Sequence, residues 1–207
     1  MKSIGILGGT FDPVHRAHIQ VALTVLQALQ LDKIHLIPCR QSPTRVAPLA
    51  STAHRLAMLN LAVMNESKLL VDDRECRREG VSYSVDTLTE LRSENPDAAL
   101  FFVVGTDAFN GLTAWHRWSD IFNLAHLVVV SRPGEELRRE GQLAKELVER
   151  ECQTRPGDQA GKIITGLDCR LPHAASQIRA AFAAGNMAEE LMDEAVHDYI
   201  QENRLYQ

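Results

Sequence analysis

Short apolar runs rich in β-branched residues alternate along this chain with longer segments in which apolar residues recur every three or four positions. The runs have the length of buried strands, and the longer segments have the period of amphipathic helices. The helical stripe after the first run comprises Ile19, Ala22, Leu23, Leu26 and Leu29. We predict strands at 4–7, 34–37, 69–71, 100–104, 127–130 and 162–165.

Strands that are apolar throughout and separated by helices are typical of a parallel sheet covered on both faces. We therefore predict an α/β fold, a doubly wound, Rossmann-like, mostly parallel sheet with helices on both faces. Residues 1–207 are interpreted as a single domain in which 170–207 forms a helical C-terminal part. Beyond the first helix, which is expected to begin near residue 14, further helices are predicted at 52–63, 85–92, 176–184 and 189–201, with an exposed loop at 154–161.

The polar segments that follow the predicted strands indicate where a ligand would bind. In open α/β sheets, ligands bind beyond the carboxyl ends of the strands, at the point where the strand order reverses. Four segments fall there: Gly8 to His18, residues 38–45, Gly105 to Asp107, and Ser131 to Pro133. We expect them to line one site.

Composition narrows the kinds of partner. With a net charge of -5, the protein surface lacks the broad positive potential of a dedicated nucleic-acid binder. No nucleic acid is therefore expected as a partner. No apolar run reaches the roughly 18 residues that span a bilayer, and the first residues enter a strand directly, so we expect a soluble cytoplasmic protein with no membrane partner. The four cysteines form no Cys-x-x-Cys pair, which argues against a zinc site or a disulfide framework.

The segment GGTFDPVHRAH at 8–18 carries the candidate phosphate chemistry. Its two glycines let the backbone approach an anion closely, and the following helix would direct free amides at that anion. His15 and His18 are three residues apart and would lie on one helix face, about 60° apart. Each piece alone is more often structural than functional, but together and in this order they predict a polyphosphate pocket.

This segment resembles the signature of the HIGH-motif nucleotidylyltransferases, Gly-Gly-Thr-Phe-Asp-Pro-x-His-x-Gly-His. Ala17 departs from it by standing where the pattern has glycine, and we expect the helix to tolerate its methyl group. The resemblance implies an ATP site that includes Gly8, Gly9, Thr10, Phe11, His15 and His18.

A second segment, 173–179, resembles the Ile-Ser-Ser-Thr-x-Ile-Arg motif with which bacterial nicotinate-nucleotide adenylyltransferases hold ATP phosphates. Ser176, Ile178 and Arg179 match it, whereas Ala174 and Ala175 replace both serines. Two hydroxyl donors are lost, which would weaken ATP binding by about tenfold unless backbone amides compensate. If the motif at 8–18 were absent, we would interpret the same residues as the start of an ordinary helix capped by Ser176.

Further segments resemble the nicotinate-nucleotide branch and imply a mononucleotide pocket. Ser84 matches a residue that caps a helix and meets the nicotinate carboxylate, and Trp115, followed by His116, matches an aromatic ring that stacks on the pyridine. Gly105 and Asp107 match a nucleotide-contacting stretch. The alternatives are structural: Trp115 and Trp118 as core aromatics, and Asp107 as a helix cap.

Two cationic segments complete the implied pocket. Arg132 matches an Arg-Pro pair that faces nucleotide phosphate, although a solvated turn residue is an equal reading. The loop 38–45, which closes over the mononucleotide in the family, departs most from it, at Cys39, Ser42 and Thr44. Arg40 and Arg45 still supply positive charge there.

The resemblance implies transfer of the adenylyl group of ATP to nicotinate mononucleotide, giving nicotinate adenine dinucleotide and pyrophosphate. The expected catalytic residues are His15, His18 and Arg179, with Mg²⁺ held by the phosphates and not by protein side chains. We expect a monomer or small homo-oligomer. The rival readings are a relative that uses nicotinamide mononucleotide or phosphopantetheine and a nucleotide sensor without turnover. A dehydrogenase is discounted because Gly-x-Gly-x-x-Gly is absent after the first strand.

Overall fold

A computed structural model describes residues 1–44, 46–131, 134–169, 174–186 and 188–207. The predicted site residues Arg45 and Arg132 lie outside these ranges. Within them the chain forms one seven-stranded sheet of order β3-β2-β1-β4-β5-β7-β6, in which every neighbouring pair is parallel. Its strands are β1 (Ser3–Gly9), β2 (Lys33–Pro38), β3 (Leu69–Val71), β4 (Ala99–Gly105), β5 (His126–Ser131), β6 (Glu151–Cys152) and β7 (Ile163–Asp168).

The helices of the described residues flank this sheet. They are α1 (Arg16–Ala28), α2 (Thr52–Val63), α3 (Arg74–Arg77), α4 (Ser84–Glu94), α5 (Thr106–Asn110), α6 (Ile121–Leu124), α7 (Gly141–Arg150), α8 (Ala175–Ala183) and α9 (Glu194–Glu202). Single 3₁₀ turns occur at Leu112–Ala114, Trp118–Asp120 and Glu189–Leu191. Within the described ranges, no helix combines the length and the apolar character that crossing a membrane requires.

The core has two halves because successive side chains of a strand point to opposite faces of the sheet. In β4, Phe101 and Val103 join a buried cluster beneath α1, α2, α8 and α9, whereas Phe102 and Val104 join a second cluster beneath α4 to α7. The two helices that follow residue 170 therefore bury their apolar faces, including Phe182 and Val196, in the same core as the sheet.

The strand order reverses between β1 and β4, which pair directly with each other. The chain passes from β1 outward to β2 and β3 on one side, then returns through β4 to β5 on the other. The carboxyl ends of β1 and β4 thus form the crevice in which such sheets bind ligands. The segments Gly8 to His18 and Gly105 to Asp107 begin with the last residues of these two strands, at the edge of the sheet where the sequence pattern predicted them.

The doubly wound α/β fold is confirmed, and the predicted strands and helices differ from the observed ones mainly at their ends. The predicted helix at 189–201 is wrong in one respect, because a 3₁₀ turn precedes α9, whose N-cap is Asp193. The sequence pattern did not predict β6, α7 or the short helices α3, α5 and α6. β6 has only two residues, and α7 buries only Leu143 and Leu147 in an otherwise charged sequence.

Strand β7 extends three residues beyond its predicted end. Val128 pairs with Ile164 and Val130 with Leu167, so β7 carries one extra residue in this interval. Gly166 lies within it with φ of 87°, a left-handed conformation that suits glycine. A β-bulge therefore allows the strand to continue past the point where the apolar run ends.

Candidate active site

Residues 8–15, which we call the nucleotide loop after the role that the resemblance implies, comprise the last two residues of β1 and the connection from β1 to α1. A Cβ atom at Gly9 would lie 3.1 Å from the Phe11 ring, a tight contact that this ring would have to relieve by a small shift, so the packing of the protein itself favours glycine there. A Cβ atom at Gly8 would meet only Phe102, at 4.0 Å. Gly8 is exposed, and its missing side chain leaves the backbone open to a ligand approaching from solvent.

His15 and His18 lie together at the start of α1. His15 is the N-cap and is buried, and the two rings stack with centroids 3.8 Å apart. His18 Nδ1 accepts a hydrogen bond of 3.3 Å from the His15 backbone N–H, which places the proton of the neutral ring on Nε2. The helix begins at Arg16 and not near residue 14, so His15 precedes the helix, and Ala17 is helical as expected.

A buried arginine lies against the nucleotide loop. Arg55 in α2 is 1% exposed, and its Nη1 donates to the Thr10 carbonyl at 2.7 Å. Its Nη2 donates to the Thr52 hydroxyl at 3.3 Å. Both acceptors are neutral, so Arg55 adds a positive charge close to the loop in a medium that screens it poorly. No sequence signal marked this residue, because the contact joins segments that are far apart in the chain.

Asp12 fixes the middle of the nucleotide loop. The residue is 5% exposed, and its carboxylate accepts hydrogen bonds from the backbone N–H groups of Leu49 and Ala50 at 2.8 and 3.0 Å. It also accepts the hydroxyl of Tyr206 at 2.7 Å. These contacts tie the loop to the segment before α2 and to the segment after α9. The first motif contained Asp12, but its partners were not predictable from spacing.

Arg179 joins the second motif to the first. Its Nη1 donates a hydrogen bond of 2.7 Å to the Asp12 carbonyl. The two segments for which the resemblance implied ATP-phosphate binding therefore meet at one place, although they lie at opposite ends of the chain. This guanidinium lies beside the loop that ends at His15, one turn before His18.

The other residues of the second motif need two corrections. The N-cap of α8 is Ala174 and not Ser176, which is exposed in the first turn. Ile178 is 0% exposed in the core, so its side chain supports the helix, and only its backbone remains for contact with a nucleotide. The side chain of Gln177 accepts the Ala174 N–H at 3.3 Å and takes over part of the capping.

The predicted mononucleotide segments are connected to one another and to the nucleotide loop. The Cys39 N–H donates to the Gly9 carbonyl at 2.9 Å, and the Arg40 N–H donates to the Ser82 hydroxyl at 3.1 Å. The Tyr83 ring lies 4.6 Å from the exposed His116 ring. A continuous chain of contacts thus runs from the nucleotide loop to the segment that precedes α4.

Ser84 is the first residue of α4, and Tyr83 is the N-cap, so the expected capping by Ser84 is wrong by one position. The segment rests on a buried carboxyl group: the Thr87 hydroxyl donates to Glu75 at 2.6 Å. Burial raises the pKa of Glu75, whereas hydrogen bonds from Thr87 and Ser82 act in the opposite direction. Glu75 and Tyr83 therefore support this side of the cleft. Tyr83 stands in the sequence segment that resembles the family, but nothing in the sequence marked either residue as part of the site.

Trp115 is half-buried and packs edge-on against Phe102 of β4, with ring centroids 6.3 Å apart. Trp118 has the same type of contact with Phe122, at 6.1 Å. Both rings thus contribute to the core while part of each stays accessible. Gly105 is the N-cap of α5, and Asp107 lies in the first turn of that helix, beyond the end of β4.

Two cysteines, Cys39 and Cys76, border this cleft. The Cys76 thiol donates to the Pro38 carbonyl at 3.1 Å, and burial raises its pKa to about 11, so the thiol stays protonated. Arg40 is exposed beside them, and its Nη1 donates to the Arg78 carbonyl at 3.3 Å. Among the residues that the structure describes, no group of three or more His, Cys, Asp or Glu side chains is placed to hold a metal ion.

Comparison with known proteins places these motifs in a family. The cytidylyltransferase-like family model matches residues 6–181. A probable nicotinate-nucleotide adenylyltransferase from Cellvibrio japonicus is 41% identical over 99% of this chain and 98% of its own, and one from Pseudomonas fluorescens is 40% identical over 99% and 97%. The structure of Plasmodium falciparum nicotinic acid mononucleotide adenylyltransferase complexed with NaAD covers 100% of this chain and 98% of its own, with a TM-score of 0.77 at 18% identity, which supports the fold. The chain therefore belongs to the nicotinate-nucleotide adenylyltransferase family within the cytidylyltransferase-like proteins.

Proposed function

We propose that this protein transfers the adenylyl group of ATP to nicotinate mononucleotide, forming nicotinate adenine dinucleotide and pyrophosphate. The observation that carries the proposal is the hydrogen bond from Arg179 to the Asp12 carbonyl, because it brings both phosphate motifs to the carboxyl end of β1. A site built from these two motifs has cationic and N–H donors for a polyphosphate.

The reaction requires alignment of two anions more than it requires a protein nucleophile. A phosphate oxygen of the mononucleotide bonds to the α-phosphorus, and the bond from that phosphorus to the bridging oxygen breaks to release pyrophosphate. A phosphate monoester, with a second pKa of about 6, is mostly dianionic at neutral pH and needs no strong base. Catalysis then rests on orientation and on neutralising charge that develops on the leaving oxygens.

In this proposal His15, His18 and Arg179 surround the triphosphate. Nε2 of His18 carries the ring proton and donates it as a hydrogen bond to a phosphate oxygen, since Nδ1 is engaged by the His15 N–H. Gly8, Gly9 and Thr10 present backbone to the phosphates. Gly105 and Asp107, beyond the adjacent β4, contact the nucleoside part of ATP.

Mg²⁺, carried by the phosphates, would supply further neutralisation of charge. Magnesium prefers oxygen ligands and commonly binds through substrate phosphates with few protein ligands. The described residues of the cleft offer imidazole and guanidinium groups near the triphosphate, which suits anion binding and leaves metal coordination to the phosphates themselves.

The acceptor pocket lies between α4 and the Trp115 segment. We propose that the indole of Trp115 stacks on the pyridine and that the first turn of α4, at Ser84, receives the carboxylate, because a helix N-terminus favours an anion over a neutral amide. His116 and Arg40 border this pocket, and Arg45 and Arg132 are proposed to add positive charge. We further propose that the protein acts in the cytoplasm as a single-domain monomer or small homo-oligomer without nucleic-acid partners.

Acceptor selectivity tests this proposal. Pyrophosphate release should be measured with ATP and Mg²⁺ in the presence of nicotinate mononucleotide, nicotinamide mononucleotide or phosphopantetheine. A strong preference for the first is expected. Release with another acceptor alone would retain adenylyl transfer and overturn the pocket assignment, whereas ATP binding without turnover with any acceptor would indicate a sensor.

A further inference from the structure

The segment after α9 makes direct contact with the nucleotide loop. Tyr206 donates its hydroxyl to Asp12 Oδ1 at 2.7 Å, across 194 positions of the chain. The same oxygen accepts the Ala50 N–H, and the other carboxylate oxygen accepts the Leu49 N–H. Tyr206 is the one side-chain donor to this carboxylate that the described residues provide.

The backbone conformation of residues 203–207 places the Tyr206 hydroxyl next to Asp12. The Arg204 and Leu205 N–H groups donate to the Gln201 and Ile200 carbonyls at 3.1 and 3.0 Å, which is the hydrogen-bond pattern of a Schellman motif. Arg204 occupies its left-handed position with φ of 50°, where glycine is usual. The helix therefore ends in a tight reversal that turns the chain back toward the core.

Tyr206 itself has φ of 65°, and Phe11, the neighbour of its partner Asp12, has φ of 49°. Left-handed conformations are unfavourable for residues with a side chain and persist where surrounding contacts over-determine them. The donor of the Tyr206–Asp12 hydrogen bond and the residue next to its acceptor thus both have left-handed backbone conformations. Burial raises the pKa of Tyr206, and the Asp12 carboxylate raises it further, so the hydroxyl keeps its proton and remains a donor at neutral pH.

We propose that Tyr206 is a positioning residue for ATP binding, whose hydroxyl holds the Asp12 carboxylate and thereby sets the conformation of the nucleotide loop. Asp12 is held at two points, because its carboxylate accepts a hydrogen bond from Tyr206 and its backbone carbonyl accepts one from Arg179. Without the hydroxyl, a buried carboxylate loses one of its donors, and the residue that anchors Arg179 shifts. The proposal rests on the proposed function only in taking this loop as the ATP site.

The test compares Tyr206→Phe with the matched control Tyr199→Phe. Tyr199 lies on α9, and its hydroxyl contacts Nδ1 of His54 at 2.9 Å, away from the nucleotide loop. Binding of a non-hydrolysable ATP analogue, measured by calorimetry, should weaken by about tenfold in Tyr206→Phe and stay within twofold in Tyr199→Phe. The KM for ATP should rise in parallel, and the KM for the mononucleotide should not.

Hydrogen exchange gives a second readout, which begins with the unaltered chain. Because the Leu49 and Ala50 amides bond the same carboxylate, the ATP analogue should slow their exchange in the unaltered chain, and Tyr206→Phe should accelerate it. Equal analogue affinity in the two variants, or no effect of the analogue on these amides, would overturn the proposal. Intact analogue binding without turnover would contradict only the proposed function, whereas no analogue binding by the unaltered chain would overturn both.

Discussion

The Arg179 guanidinium donates a hydrogen bond of 2.7 Å to the Asp12 carbonyl, 167 positions earlier in the chain. This contact holds the cation beside the nucleotide loop before any ligand binds, so less side-chain freedom is lost when a phosphate arrives. An arginine that is ordered in this way contributes both charge and geometry.

Arg179→Lys should therefore reduce kcat/KM for ATP by about 10-fold to 100-fold, because an ammonium group keeps the charge and loses the planar fork. Steady-state kinetics with ATP as the varied substrate would measure it. Arg155→Lys is the matched control, since Arg155 also donates to distant backbone carbonyls, those of Leu29 and Gln30, outside the cleft. Equal losses in both variants would contradict a specific role for Arg179.

Replacing His18 by alanine should lower kcat by about 10²-fold to 10³-fold with the fold intact, because a donor to the developing phosphate charge is lost. Rapid-quench or steady-state turnover gives the rate, and circular dichroism gives the fold. His54→Ala on α2 serves as a control for removal of an imidazole that belongs to neither phosphate motif. Unchanged turnover of His18→Ala in a clean preparation would remove His18 from the catalytic set.

Gly8→Ala should leave the melting temperature within about 2 °C of the unaltered value and weaken ATP binding by about fivefold or more, because only a ligand would collide with the new methyl group. Gly157→Ala, where a Cβ atom meets nothing within 4 Å, should change neither quantity. Gly9→Ala should lower stability instead, since its Cβ atom would press on the Phe11 ring. Calorimetry and thermal melts separate these effects, and unaltered ATP affinity in Gly8→Ala would argue against this loop as the binding surface.

Removal of the Trp115 indole should raise the KM for the mononucleotide by about tenfold and leave the KM for ATP nearly unchanged, because stacking on an aromatic ring is lost. Trp115→Ala can be compared with Trp118→Ala, since both rings pack edge-on against a phenylalanine of the same core. If both variants raise the mononucleotide KM equally, Trp115 acts through packing alone.

Stability should fall on mild acidification because of His126, which is 0% exposed. Its Nδ1 accepts the Lys162 N–H and its Nε2 contacts the Asp158 carbonyl, so the folded state favours the neutral ring. Burial lowers the pKa of His126 below its ordinary 6.5. As pH drops below 6.5, the His126 ring is protonated in the unfolded chain but stays neutral in the folded chain. The free energy of unfolding therefore decreases by up to about 1.4 kcal/mol per pH unit.

Denaturant unfolding between pH 7.5 and pH 5.5 measures this slope. His126→Gln should flatten it, whereas His54→Gln, in which the ring is partly accessible, should not. An identical slope in His126→Gln and the unaltered chain would show that other groups set the acid sensitivity.

Periodicity predicted the sheet well because strands such as β4 are apolar at every position and buried on both faces. It missed α7, in which two leucines four positions apart carry all of the burial in a charged segment. Helix ends were misplaced where the cap is not a usual capping residue, as with Ala174 before α8 and Tyr83 before α4.

For the site, the sequence motifs and the family resemblance identified residues that lie within one short segment of the chain, such as His15 and His18. The family itself is confirmed by the comparisons. The motifs left out Arg55 and Tyr206, whose contacts with Thr10 and Asp12 exist only once the chain has folded. Spacing cannot reveal such contacts, since they join α2 and the segment after α9 to the nucleotide loop.

The central claim is adenylyl transfer, and the fate of label at the α-phosphorus of ATP tests it most directly. The protein should be incubated with ATP labelled at the α-phosphorus, Mg²⁺ and nicotinate mononucleotide, and the products separated by chromatography. All converted label should appear in nicotinate adenine dinucleotide, while label placed at the γ-phosphorus should appear in pyrophosphate. Recovery of the α-label in AMP or ADP, or in unreacted ATP alone, would contradict the account.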